Sequence, residues 1–213
     1  MEILLENERL ELLQQKAIYM PAHRVLLLAD VHFGKVNHFR KAGIPVPLKA
    51  NDRNTELLIE LIQQTKPLRI IFLGDLFHSH YNEEWEVVGQ ITNHFKELSF
   101  ELVVGNHDIM SEHQYTRHRF ILHQKLTVGN LLLTHEELTR VPTGFYNLAG
   151  HVHPGVRLHG KGRQSLMLPC FYFGKRKGLL PAFGSFTGLA KIRPRQNDKV
   201  YVIVEGRIVL LQE

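Results

Sequence analysis

The 213-residue chain is 44% apolar and 22% charged, a globular balance that excludes a disordered or fibrous protein. No uninterrupted apolar stretch exceeds five residues, the length of Val25–Ala29, which is too short to cross a bilayer, and a lone Cys170 excludes an intramolecular disulfide framework and suits a reducing compartment. Fourteen histidines and a net charge of +5 are the two features that core building does not explain.

The acidic start, Met1-Glu2-Ile3-Leu4-Leu5-Glu6, is unlike an export signal, so a cytoplasmic protein is expected. Residues 8–20 alternate loosely and predict a short hairpin or edge strands. Arg24–Ala29 (RVLLLA), apolar throughout after Arg24 and followed by Asp30, predicts a buried central strand. Asn51 or Asp52 is positioned to cap a helix through about Gln64, with Leu57, Leu58, Leu61 and Ile62 on one face, and Pro67 stops it. Leu68–Leu73 predicts a second buried strand ending in Gly74-Asp75. Glu83–Leu98 predicts a helix with an acidic first turn that suits its dipole. A third strand, Phe100–Val104, runs into Gly105-Asn106-His107-Asp108. A fourth, Leu131–Thr134, ends in His135, and a short one near Leu148 ends in Gly150-His151-Val152-His153. Val200–Val204 and Arg207–Leu211 predict a closing hairpin. With no repeat, low-complexity tract or linker, a single domain over residues 1–213 is expected.

Five times an apolar strand ends and His, Asp or Asn follows at once. Side chains from separate strands converge at the carboxyl ends of an α/β sheet, so five distant segments are expected to build one site. Carboxylates, an amide oxygen and imidazoles without a thiolate suit Mn, Fe, Zn or Co better than an all-oxygen Mg or Ca cage. Asp30, His32, Asp75, Asn106, His135, His151 and His153 are too many ligands for one ion. They suffice for two divalent ions about 3.5–4 Å apart if one carboxylate bridges, and Asp75, alone at its strand end, is the candidate.

The charge is concentrated. No Asp or Glu occurs from Leu138 to Asn197, whereas ten Lys and Arg do, leaving −5 on the rest of the chain. A one-sign segment surrounding the last two candidate ligands fits an anionic partner.

The order DxH, GD, GNHD, H, GHxH resembles the calcineurin-like metallophosphoesterase superfamily. That resemblance implies a four-layer α/β/β/α sandwich with a dinuclear metal site at the carboxyl ends of the strands. It also implies one ion held by Asp30, His32, Asp75 and His153, and a second by Asp75, Asn106, His135 and His151. His107 would contact the scissile phosphate, oriented by Asp108. Finer stretches resemble the ligase-associated DNA-damage-response phosphoesterases: DVHFGK (30–35), FRKAGIPVP (39–47), GDLFHS (74–79), LPCF (168–171) and LPAFGSFTG (180–188). This implies a nuclease acting on DNA beside a DNA ligase and a helicase; the cofactors expected are two divalent ions, manganese foremost, with Fe, Zn, Co or Mg as alternatives. GDLFHS in place of the GDxxDR of protein phosphatases speaks against a phosphoprotein substrate.

The mechanism expected from such a site is in-line attack by a metal-bridging hydroxide, with His107 as acid. His78 reaches the substrate or simply packs in its loop. Lys35 and Arg40 are candidates to meet a phosphate backbone, although Arg40 equally suits a solvated helix face. Phe183 and Phe186 are candidates to stack a base, with core packing the alternative. Two rival functions remain: a small-nucleotide phosphodiesterase or phosphomonoesterase, and a metal-supported scaffold for repair partners.

Overall fold

Both faces of Val25–Ala29 are apolar because both are covered. Val25, Leu27 and Ala29 point one way and Leu26 and Leu28 the other, each into its own buried cluster. The computed structural model describes residues 1–33, 49–78, 80–160, 165–185 and 187–211. The first sheet has seven strands in sequence order: β1 (Glu2–Leu5), β2 (Glu8–Leu13), β3 (Ala17–Met20), β4 (Val25–Leu28), β5 (Arg69–Leu73), β6 (Ser99–Val103) and β7 (Phe120–His123). Strands β1 to β4 form an antiparallel meander, and β4 to β7 run parallel.

The parallel half requires crossovers, and the helices lie in that stretch of chain. They are α1 (Lys49–Thr65), α2 (Glu84–His94) and α3 (Glu112–Thr116). Leu58, Leu61 and Ile62 of α1, Trp85, Val88 and Ile91 of α2 and Tyr115 of α3 bury against Leu26, Leu28, Ile70, Phe72, Phe100 and Leu102. The apolar stripe of α1 is thus the expected one. The helix is already under way at Lys49, so Asn51 and Asp52 lie inside it rather than at its cap. Helix α2 stops short of Leu98: the Phe95 N–H closes on the Ile91 carbonyl, and the chain turns so that Ser99 can pair beside Leu68.

The second sheet holds β8 (Leu126–Val128), β9 (Leu131–Thr134), β10 (Tyr146–Ala149), β11 (Pro154–His159), β12 (Ser165–Phe173), β13 (Lys177–Leu179), β14 (Ala190–Lys191), β15 (Lys199–Val204) and β16 (Arg207–Leu211). β9, β10 and β13 run parallel, so their carboxyl ends share one edge. The sheets pack face to face through Leu27, Ile71, Leu73 and Val103 on one side and Leu131, Leu133, Leu148, Phe171 and Phe173 on the other. The chain is therefore an α/β sandwich of two sheets as expected, but of the four layers expected only three, helices and two sheets, are present among the described residues. The other face of the second sheet carries a smaller cluster of Val156, Cys170, Val200 and Val202, with no helix over it among the described residues. Cys170 is fully buried, and burial pushes its thiol up to about 12, as suits a small hydrophobe. No described helix is long and apolar enough to cross a membrane.

A candidate metal centre between the two sheets

The five strand ends meet. Asp30 follows β4, Asp75 follows β5, Asn106 to Asp108 follow β6, His135 follows β9, and His151 and His153 follow β10. Backbone contacts knit the ends together. Asp30 N–H donates to the Gly74 carbonyl at 3.2 Å, His32 N–H to that of Asp75 at 2.9 Å, and Gly150 N–H to that of His135 at 3.0 Å. The join between sheets is made by a candidate ligand: the Asp30 carboxylate accepts the His151 N–H at 3.0 and 2.9 Å.

Two groups of donors result. Asp30, His32 and His153 offer ligand atoms within 4.8 Å of one another, and so do Asp75, His135 and His151. Asp75 stands between the groups. Its Oδ2 lies 3.9 Å from His32 Nε2 and its Oδ1 lies 3.4 Å from His135 Nε2. Asn106 completes the second group, its Oδ1 lying 2.9 Å from His135 Nε2.

The hydrogen bonds around the rings fix which nitrogen faces inward. A carbonyl only accepts, so His135 Nδ1 donates to Leu73 O at 3.0 Å and His153 Nδ1 donates to Gly188 O at 3.2 Å. In the neutral form that binds a metal, each ring then aims a lone pair on Nε2 at the centre. For His135 that lone pair faces Asn106 Oδ1, Asp75 Oδ1 and, at 3.1 Å, His151 Nδ1, which itself carries a lone pair in the metal-binding tautomer. Acceptors do not attract one another, and a cation among them satisfies them all. The residues present therefore fit divalent metal ions.

Five of these residues hold backbone that side chains rarely adopt: Asp30 (φ 51°), His32 (φ 51°), Asp75 (φ 50°), His151 (φ 65°) and His153 (φ 53°). Each such residue costs roughly 1–3 kcal/mol, a strain that gathers at functional sites. Gly74, at φ 79°, makes room for His135: a Cβ there would stand 2.0 Å from its Nδ1.

His107 is exposed, and its N–H donates to Asp75 Oδ1 at 2.9 Å. Its ring centroid lies 4.4 Å from that of His78 and 5.8 Å from that of His32. His78 is thereby brought into the site, beside both. Asp108 has another task from the one expected. Rather than orient His107, its buried carboxylate accepts the N–H groups of Asp75, Leu76, Phe77 and Gly105 at 2.9–3.2 Å. Burial pushes this carboxyl up to about 7, with the neighbouring Asp75 charge adding to the rise, and the backbone donors oppose both.

Phe183 does not stack a base. It is 2% exposed and packs in the helix-side core, while its N–H donates to the Ala29 carbonyl and that of Gly184 to Asp30. Lys35, Arg40 and Phe186 lie outside the described residues. One supporting residue escaped the sequence reading. Asn147 is fully buried, its Nδ2 donates to Leu132 O and Thr134 Oγ1, and its Oδ1 accepts the Leu138 N–H, fixing the loop that carries His135. A lone Asn in the apolar run Tyr-Asn-Leu-Ala was the available signal.

Comparison with known proteins agrees with this arrangement. The calcineurin-like phosphoesterase family matches residues 23–171. Among solved structures, the nuclease MPE of Pseudomonas putida superposes with a TM-score of 0.84 at 31% identity, over 99% of each chain. The phosphoesterase Yfce of E. coli aligns at 15% identity and a TM-score of 0.44, over 88% of this chain and 97% of that one. A search of curated proteins finds no match. With the family covering the span from the first strand of the site to beyond its last ligand, the chain belongs to the calcineurin-like phosphoesterases.

Proposed function

We propose that this phosphoesterase is a nuclease that hydrolyses DNA phosphodiester bonds at a pair of divalent ions, manganese foremost. The observation that carries the reading is the pair of His/Asp groups on either side of Asp75, with the exposed His107 beside them. The likeness to the Pseudomonas putida nuclease over the full chain supports the substrate class. Asp30, His32, Asp75 and His153 would hold one ion, and Asp75, Asn106, His135 and His151 the other. Bound there, the ions supply an activated water and positive charge against the phosphate oxygens.

The chain's own residues do the rest. The Asp30–His151 link keeps the two sheets, and so the two groups of donors, in register. The Leu73 and Gly188 carbonyls hold His135 and His153 in the tautomer that leaves Nε2 free to bind. His107, fastened by its own N–H to Asp75, presents an imidazole N–H to a phosphate oxygen and delivers a proton to the leaving oxygen. His78 lies beside it against the same phosphate.

The test offers the manganese-loaded protein plasmid DNA, single-stranded DNA, a chromogenic phosphodiester and the corresponding monoester. Cleavage of DNA and diester, with the monoester turned over slowly, is expected. Turnover confined to the monoester or to mononucleotides overturns the nuclease reading, and no turnover with any divalent metal leaves a binding scaffold.

A further inference from the structure

A groove of about 770 Å³ runs over the uncovered face of the second sheet. Its floor is apolar and aromatic: Val152, Tyr172, Leu179 and Ile192. Its sides carry Lys175, Lys177, Arg193 and Arg195. It adjoins the loops that carry the candidate ligands: Val152, between His151 and His153 in the chain, and Glu137, two residues after His135, both line it.

The groove's charges are not neutralised internally. Among the described residues, none of those four cationic side chains makes a hydrogen bond or ion pair. A fifth cation, Arg176, is turned aside to the carbonyls of Pro142 and Phe145. Two carboxylates oppose them, Glu137 and Asp198, the latter accepting from the Tyr172 hydroxyl and the Arg195 N–H, each at 2.7 Å; five cations against two anions leave the groove at +3. An apolar, aromatic floor between cationic sides suits a ligand that alternates flat apolar faces with regular negative charges.

We infer that this groove is the track along which a nucleic-acid strand lies as it leaves the metal centre, its phosphates on Lys175, Lys177, Arg193 and Arg195. The inference rests on the nuclease reading and adds a binding surface to it. A small diester reaches the metal centre without entering the groove; a long strand fills both. The groove therefore governs how tightly polymer binds and leaves the chemical step alone.

The experiment measures KM and kcat for single-stranded DNA and for a chromogenic diester, with manganese. It uses wild type and the double variants Lys175→Gln/Lys177→Gln and Arg193→Gln/Arg195→Gln. Losing two phosphate contacts, at about 0.7 logarithmic unit each per decade of salt, raises KM for the strand roughly 25-fold at about 0.1 M salt. Diester kinetics stay at the wild-type value, and Lys175→Arg/Lys177→Arg retains the wild-type KM for DNA. Variants that cut DNA like wild type overturn the groove and leave the nuclease reading intact. Equal losses on both substrates also overturn it, because the damage then lies at the metal centre. A wild-type protein that hydrolyses the diester but no DNA overturns the nuclease reading and the groove together.

Discussion

Asp75 and Asp108 hold each other's loops. The Asp108 carboxylate accepts the N–H of Asp75 at 2.9 Å, while Asp75 Oδ1 accepts the N–H of His107 at 2.9 Å. The carboxylate expected to act in catalysis is thus a fastening between the β5 and β6 ends. Asp108→Ala leaves its backbone donors buried without partners, at about 1–3 kcal/mol each. The melting temperature and the metal content should both fall. If turnover alone is lost, with stability and metal content intact, Asp108 acts on His107 after all.

His107→Ala makes the opposite pattern. Its exposed ring supports no core contact, so unfolding and metal content should match wild type. Turnover of diesters should drop about 10²–10⁴-fold, the usual weight of a general acid. Steady-state kinetics beside metal analysis check this, and a variant with wild-type kcat would remove His107 from the chemistry.

Gly74→Ala tests the packing beneath His135. The added Cβ meets the imidazole 2.0 Å away, at a φ of 79° that a side chain resists. His135 must swing off the Leu73 carbonyl that fixes its tautomer. Affinity for the second metal should weaken about 10–100-fold, as when a ligand's hydrogen-bond partner is removed. Competition with a fluorescent chelator measures it, and unchanged affinity would mean the ring has another way to hold its place.

Far from the site, Glu101 sets an acid limit on stability. Burial raises its carboxyl, but the hydrogen bonds and charges of Arg69 and His123 outweigh burial and hold it below 4.5. A carboxyl depressed in the folded state contributes stability that is complete above its unfolded value and is lost as pH falls through the folded one. Wild type should therefore lose melting temperature below about pH 4.5 more steeply than Glu101→Gln. Parallel curves for the two proteins would show that the cluster carries no net proton linkage.

The ligand loops were legible because each follows a run of apolar residues that only a buried strand explains, and because the loops come in a fixed order. Leu131–Thr134 and Arg207–Leu211 occupy the expected residues for the same reason. What escaped was decided by packing at a distance. Strands β7, β8, β11, β13 and β14 are short or mixed in polarity, and they are strands because a neighbour pairs with them, while the long apolar β12 is disguised by Pro169 within it. Phe183, followed by a glycine, resembles an exposed loop residue; it is buried because the chain tucks its N–H under Ala29. His118 suggests a surface residue, yet it is 7% exposed, packed on Gly89 and Trp85. Periodicity identifies a strand or a stripe, but not which loop another loop will cover.

The left-handed backbone at Asp30, His32, Asp75, His151 and His153 gives this protein an evolutionary asymmetry. Glycine would adopt those angles without strain, and asparagine nearly so. Side chains proposed to bind a metal stand where the fold alone would favour a residue with almost no side chain. Selection for the site therefore works against selection for stability at the same positions. A descendant released from its chemistry would have a downhill path at His151 and His153, exchanging them for glycine or asparagine, whereas Asp30 and Asp75 also accept backbone N–H groups across the site and would be retained.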